Sequence, residues 1–341
     1  MTKRALLLAN LGSPDNCDVT SVRRYLNQFL MDPYVIQLPW FIRRLIVSLF
    51  VLPKRPKDSA HAYQSVWLPE GSPLVVLSQQ LRDALQAKLD IPVAMAMRYG
   101  NPSIESQILK LVNDDQADEI VFMPMYPHYA QSTITTSVEQ AKKVVKKHSL
   151  AVKLTVVEPF YNNPDYIKAL VESARPYLDQ EYDHLVFSYH GLPESHITKL
   201  DSSGSHCLKK QDCCQLPHPA HKTCYRHQVM ATTHAFAQAA GLNPSQFSVA
   251  FQSRLGRAKW LGPNTEDRLK ELAQSGAKNV LVICPAFVTD CLETLEEIAI
   301  RGQEVFSEAG GETLTLIPCL NDHPAWVDVL ADWCQTKTRT R

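Results

Sequence analysis

Short uninterrupted apolar runs alternate along this chain with longer stretches in which apolar residues recur at helical spacing. Runs at 5–9, 93–98, 120–125 and 152–157, then at 185–189, 247–251, 280–284 and 314–317, predict eight strands. The runs are continuous rather than alternating, as in parallel sheets covered on both faces. Helices are predicted over 78–89, 132–147, 164–178, 226–240, 265–275, 292–306 and 324–334. Strand–helix alternation builds βαβ units. The chain is therefore predicted to be α/β, with two Rossmann-like domains, each a four-stranded parallel sheet flanked by helices. The two sets of strands repeat one pattern. Strand one ends in Asn10-Leu11-Gly12-Ser13-Pro14 and strand five in His190-Gly191-Leu192-Pro193. Strand three leads into a Ser/Thr-rich helix start, and strand seven into a Thr/Asp one. A boundary near Tyr182 gives domains over 1–181 and 182–320, with a last helix in 321–341 able to pack back on the first domain.

Two segments depart from the pattern. One, 38–53, is strongly apolar, holds Arg43 and Arg44, and runs into Lys54, Arg55 and Lys57. Two arginines make it a poor membrane span. It reads either as an exposed amphipathic lip touching a bilayer or an apolar ligand, or as a buried helix with a basic exit. The other, about 201–226, is rich in cysteine and histidine.

Length and charge narrow the field. The 341 residues exceed what one core usually holds, so two are expected. Hydrophobic content of 45% excludes disorder. Lys plus Arg and Asp plus Glu are 35 each, which removes a global electrostatic case for nucleic acid. The apolar run after Met1-Thr2-Lys3-Arg4 is too short for a signal peptide. A cytoplasmic chain with reduced thiols is expected, so the nine cysteines are not expected to pair.

Candidate chemistry sits at strand ends, where open α/β sheets bind ligands. His190 is flanked by Gly191 and Pro193, which turn the chain and expose the imidazole, able to take a proton or bind a divalent metal. Asp290, Glu293 and Glu297 follow strand seven. Asp290 could cap the helix. Glu293 and Glu297 are one turn apart and share a face, a line suited to conducting protons or cations. After strand six, Ser253 is followed by Arg254, Arg257 and Lys259, donors for ligand carboxylates, and by Trp260, a flat apolar face. Arg98, Tyr99 and Tyr126 add similar material at two further strand ends. Cys207, Cys213, Cys214 and Cys224 are spaced C-x5-C-C-x9-C. In a reducing compartment that set suggests zinc or an iron–sulfur cluster. The spacing is unlike a zinc ribbon, which favours [2Fe–2S].

Taken together, these motifs resemble the ferrochelatases, which insert ferrous iron into a porphyrin to make haem. The resemblance runs from Asn10-Leu11-Gly12-Ser13-Pro14 through Arg98-Tyr99, Tyr126-Pro127-His128-Tyr129 and Ser188-Tyr189-His190-Gly191-Leu192-Pro193. It continues through Phe251-Gln252-Ser253-Arg254 and Trp260-Leu261-Gly262-Pro263-Asn264-Thr265 to the Asp290–Glu297 run. It implies a class II chelatase-like fold, protoporphyrin IX as substrate and Fe2+ as the second substrate. His190 would be the catalytic histidine, as base or iron ligand, with Glu293 paired to it and Asp290 and Glu297 on the same conduit. Asn10, Leu11, Arg98, Tyr99, Tyr126, Ser253, Arg254 and Trp260 would contact the porphyrin, and 38–53 would be its apolar lip. Cys291 stands where some relatives carry a second histidine. The four clustered cysteines resemble an internal [2Fe–2S] insertion of some bacterial members. Rival readings are a coproporphyrin chelatase, a cobalt chelatase for a more acidic tetrapyrrole, and a non-catalytic haem-binding protein. Peripheral contact with the inner membrane is a further expectation.

Overall fold

A computed structural model describes residues 2–254, 256 and 258–335. All eight predicted strands form, as two parallel four-stranded sheets. The first comprises β1 (Arg4–Gly12), β2 (Val93–Tyr99), β3 (Glu119–Pro124) and β4 (Lys153–Val156), ordered β2-β1-β3-β4. The second comprises β5 (His184–His190), β6 (Phe247–Gln252), β7 (Asn279–Ile283) and β8 (Thr313–Leu316), ordered β6-β5-β7-β8. In both, the chain leaves the first strand toward one edge and returns to its other side. The crevice where winding reverses lies between β1 and β3 in one sheet and between β5 and β7 in the other, the place where such sheets bind ligands.

The chain divides into two compact units. One holds Met1–Tyr126, Gln131–Glu158 and Val327 onward; the other holds Pro127–Ala130 and Pro159–Trp326. In the first, Leu7, Ala9 and Phe122 pack against helices Ile104–Asn113 and Thr136–Lys147 through Ile108, Leu111 and Val144. In the second, Val186, Val280 and Val282 meet helices Thr265–Gln274 and Arg301–Glu308 through Leu269, Leu272 and Phe306. Near-complete burial of the Val, Leu, Ile and Phe side chains is the main stabilising contribution, about 1.5–3 kcal/mol each.

Helices not anticipated from the sequence form over Val19–Leu30, Arg55–Val66 and Ile104–Asn113. The first is capped by Asp18, which accepts from the Thr20 and Ser21 amides at 2.8 and 3.0 Å; the last is capped by Ser103. The predicted helix 292–306 is in fact broken. A short α-turn, Leu292–Thr294, runs into a π-helical stretch, Leu295–Ile300, before α-geometry resumes. Such widened turns are frequent at functional sites. Segment 38–53 becomes helix Trp40–Ile46 plus a π-turn, Val47–Val51. Trp40, Phe41 and Phe50 are 66%, 67% and 71% exposed, so the buried-helix reading of this segment is wrong. Arg43 does not face solvent. It is buried and donates to the Ile36 and Leu38 carbonyls, tying off the preceding loop. Among the described residues no helix is long and apolar enough to cross a membrane.

Candidate functional site

In the second unit the ends of β5, β6 and β7 converge on one side chain that the sequence did not single out, Gln252. Its Oε1 accepts from the Ser188 hydroxyl on β5 at 2.8 Å. Its Nε2 donates to the Glu293 carbonyl at 2.5 Å, and its own carbonyl accepts from Gly191 N–H at 2.7 Å. Fully buried, Gln252 fixes the His190 turn and the carboxylate turn to the same strand end.

His190 is the last residue of β5 and is partly exposed. Its Nδ1 lies 2.6 Å from the Gly191 carbonyl. A carbonyl can only accept, so Nδ1 is the donor in this contact, and the lone pair of the neutral imidazole then falls on Nε2. The turn needs glycine next: a Cβ at Gly191 would sit 2.9 Å from the Gln252 carbonyl oxygen and 3.3 Å from the Trp260 ring. Trp260 runs alongside, bridged to Pro193, while Leu261 N–H donates to the Leu192 carbonyl at 2.9 Å.

The carboxylates after β7 differ sharply in environment. Asp290 is buried and saturated. It accepts from the Thr294 hydroxyl at 2.8 Å, the Cys319 amide at 3.1 Å and the Asn321 side chain at 2.7 Å. These bonds tie the carboxylate and the loop that carries it to Thr294, Cys319 and Asn321. Glu293 is partly exposed and receives the Cys291 thiol; burial, then the Glu293 charge, pushes that thiol well up. Glu297 accepts from the Ser253 amide at 2.8 Å and hydroxyl at 2.5 Å, and pairs with Arg301 at 3.3 Å. Both Ser253 donors are thereby spent on Glu297, so Ser253 is a holder of that carboxylate and not a free ligand donor. Glu296, missed in the sequence, has its carboxyl raised by burial and by Glu297, Glu304 and Glu293, against the pull of Arg301. A row of carboxylates around a π-turn can pass protons. Arg254 is half-exposed with a loose 3.8 Å pairing to Asp267, leaving its fork open to an anion. Arg257 lies outside the described residues.

The first unit arranges its strand ends otherwise. The Arg98 guanidinium reaches Asp32 at 2.5 Å and the Thr136 hydroxyl at 2.7 Å. The Tyr99 hydroxyl donates to Asp32 at 2.9 Å and the ring is wholly buried. The Tyr99 side chain is buried and the Arg98 guanidinium is paired with a buried carboxylate, where contact with a porphyrin was expected. Tyr126 and Asn10 are buried, with Asn10 accepting from the Leu11 amide at 2.9 Å. Leu11 is partly exposed. Gly12 is obligatory, since at φ +113° a Cβ would overlap the Tyr99 carbonyl oxygen.

The cysteine-rich insertion is mostly turns. Asp201 organises its start, accepting from Ser203 and from the His206 and Cys207 amides, which hold its carboxyl well below the usual range. Among the described residues no group of three or more His, Cys, Asp or Glu is set around a common metal position. The four cysteines nonetheless gather, all as free thiols. Cys207 is hydrogen-bonded to Cys224 and Cys213 to Cys214; the Cys214 thiol is pushed up to about 12 by burial, opposed by Arg226. The Arg226 guanidinium lies 3.5 and 3.4 Å from the Cys213 and Cys214 sulfurs. Cysteine sulfurs are the donor type of a thiolate-bound cluster, but the described residues do not set them around one metal position.

Comparison with known proteins decides the family. The sequence model described as Ferrochelatase matches residues 3–338. The chain belongs to the ferrochelatase family. It is 58% identical over 337 residues to a ferrochelatase of Pseudomonas fluorescens (strain Pf0-1), covering 98% of each. It is 54% identical over 338 residues to that of Azotobacter vinelandii (strain DJ / ATCC BAA-1303), covering 98% of this chain and 99% of the other. Among solved structures, SirB from Bacillus subtilis with Fe3+ superposes with a TM-score of 0.55 at 13% identity, over 98% and 97% of the two chains. That likeness carries the fold.

Proposed function

We propose that this chain is a ferrochelatase that inserts Fe2+ into a porphyrin in haem biosynthesis, with protoporphyrin IX as the porphyrin. The carrying observation is the His190 imidazole, with Nδ1 engaged by the Gly191 carbonyl, at the end of a strand whose neighbour leads into a carboxylate row. Metallation releases two pyrrole N–H protons as Fe2+ enters, so the site must accept protons next to a dication. His190 Nε2 takes a pyrrole proton. Glu293, adjacent on the β7 side, draws the incoming iron or receives the proton onward. Glu297, held by Ser253 and Arg301, and Glu296 relay protons outward. Arg254 pairs with a propionate, and Trp260 offers its face to the ring.

In the insertion, Cys207, Cys213, Cys214 and Cys224 would hold a [2Fe–2S] cluster, with Arg226 balancing its charge. Bound there, the cluster supplies a one-electron couple and a covalent staple. The exposed Trp40, Phe41 and Phe50, followed by Lys54, Arg55 and Lys57, suit peripheral contact with an anionic bilayer on the cytoplasmic side.

The test is anaerobic turnover with Fe2+ and either protoporphyrin IX or coproporphyrin III, followed by loss of porphyrin fluorescence and gain of haem absorbance. Multiple turnovers with protoporphyrin support the reading. Turnover only with coproporphyrin reassigns the substrate, and tight binding without turnover leaves a binding protein. Iron, sulfide and zinc analysis of the purified chain, before and after Cys213→Ser, separates a cluster from zinc. Flotation with anionic vesicles, lost in Phe41→Ser/Phe50→Ser, tests the membrane contact.

A further inference from the structure

Cys224 is the last cysteine of the insertion, and the next residue begins helix Tyr225–Ala240. Tyr225 is buried, and its hydroxyl donates to the His190 carbonyl at 2.9 Å. The other edge of the same peptide plane is also held, because Gly191 N–H donates to the Gln252 carbonyl at 2.7 Å. A plane clamped at both edges cannot swing. This fixes the Cα of Gly191; the next peptide plane, followed by the Leu192 carbonyl that accepts from Leu261 N–H at 2.9 Å, carries the Gly191 carbonyl 2.6 Å from His190 Nδ1, a contact that selects a proton on Nδ1. The clamp is seated on a rigid support. The Tyr225 ring meets the edge of buried His128 at 5.8 Å, and His128 meets Tyr189 at 5.5 Å. The Tyr189 hydroxyl in turn bonds Thr233 on the Tyr225 helix at 2.8 Å.

We propose that Tyr225 is a positioning residue for His190, fixing the Nδ1–H tautomer so that Nε2 faces the reaction, and that it ties the cysteine-rich insertion to the catalytic turn. The inference rests on His190 being the proton acceptor. Nitrogen-15 spectra of the histidine-labelled full chain, with His190 signals assigned by their loss in His190→Ala, read the tautomer without any turnover. The wild-type chain shows protonated Nδ1 and bare Nε2. Tyr225→Phe shows a mixture of tautomers, and kcat falls about tenfold, as small misplacements of a reacting group do. The KM for porphyrin stays within about twofold, since uniform binding is untouched. Phe236→Leu removes buried packing against Phe187 near the other end of the same helix and serves as the structural control: its melting temperature falls while the tautomer stays single. A wild-type signal with protonated Nε2 overturns the proposal, and so does a Tyr225→Phe chain with one Nδ1–H tautomer and unchanged kcat. Should Tyr225→Phe not fold, the wild-type tautomer alone decides. Full turnover by His190→Ala would instead remove the proton-acceptor reading, a failure distinct from the tautomer result.

Discussion

The two sheets have the same strand order and parallel register, yet their strand ends are used in opposite ways. In the first unit, β2 ends in Arg98 and Tyr99, and both are consumed by one buried carboxylate, Asp32, with Thr136 completing the set. In the second, the partners of His190 are the Gly191 carbonyl and the Tyr225 hydroxyl, both uncharged, which hold the residue through Nδ1 and its backbone carbonyl and do not engage Nε2. A buried ion pair makes a framework because its charges cannot be left unpaired in a medium of low dielectric. A reactive group needs the reverse, fixed geometry with one lone pair unspent. The same topology thus supplies a scaffold end and a chemical end.

The largest contrast is expected at His190. His190→Ala should lower kcat by roughly 10²–10⁴-fold, the usual range for a general base, with melting temperature and porphyrin binding retained. Turnover near wild type would erase the distinction between the two ends. Next comes Arg98→Leu, which leaves Asp32 buried and unpaired at a cost of about 3–5 kcal/mol. Denaturant unfolding of the N-terminal unit measures it. Unchanged stability with lost porphyrin affinity would return Arg98 to the ligand contacts. Asp290→Asn probes framework inside the chemical end. It should lose about 1–3 kcal/mol from imperfectly satisfied buried donors, with kcat changed only modestly; a collapse of kcat at intact stability would restore Asp290 to the conduit.

Acid should separate the units most gently. His184 and His128, both in the second unit, are held down to about 4 and about 3 by burial, against an ordinary 6.5. A depressed folded-state histidine means the unfolded chain takes up the proton first. Their contribution is therefore complete above about pH 6.5 and is lost as pH falls below it. In the first unit Glu105 is held at about 2 by Lys147 and His148, and Glu119 is lowered by Thr155, so their contribution is lost only below about pH 4.5. Segment-resolved hydrogen exchange between pH 6.5 and 4.5 should show the second unit opening first.

Strands and fold class were legible because burial on both faces writes each strand as a continuous apolar run, a local signal. The segment 38–53 was legible as apolar, but its exposure was not, since composition does not say what covers a helix. Helix Ile104–Asn113 could have been found from its Ser103 cap and apolar spacing; Arg55–Val66, largely polar, offered little. At the site, His190 and the Glu293–Glu297 row stood out by residue type and by position after strands. Their partners did not. Asp32 meets Arg98 across 66 residues and Tyr225 meets His190 across 35.

The sequence by itself determined two parallel βαβ sheets, the family, and which residue types stand at the strand ends. Those follow from periodicity and local motif, properties of neighbouring residues. Only tertiary structure decided that Arg98 and Tyr99 meet Asp32, that Ser253 meets Glu297, that Gln252 joins three strand ends, and that His190 Nδ1 faces the Gly191 carbonyl. Each of these depends on which donor meets which acceptor after distant segments pack, and a hydrogen bond between residues far apart in the chain leaves no periodic trace in it.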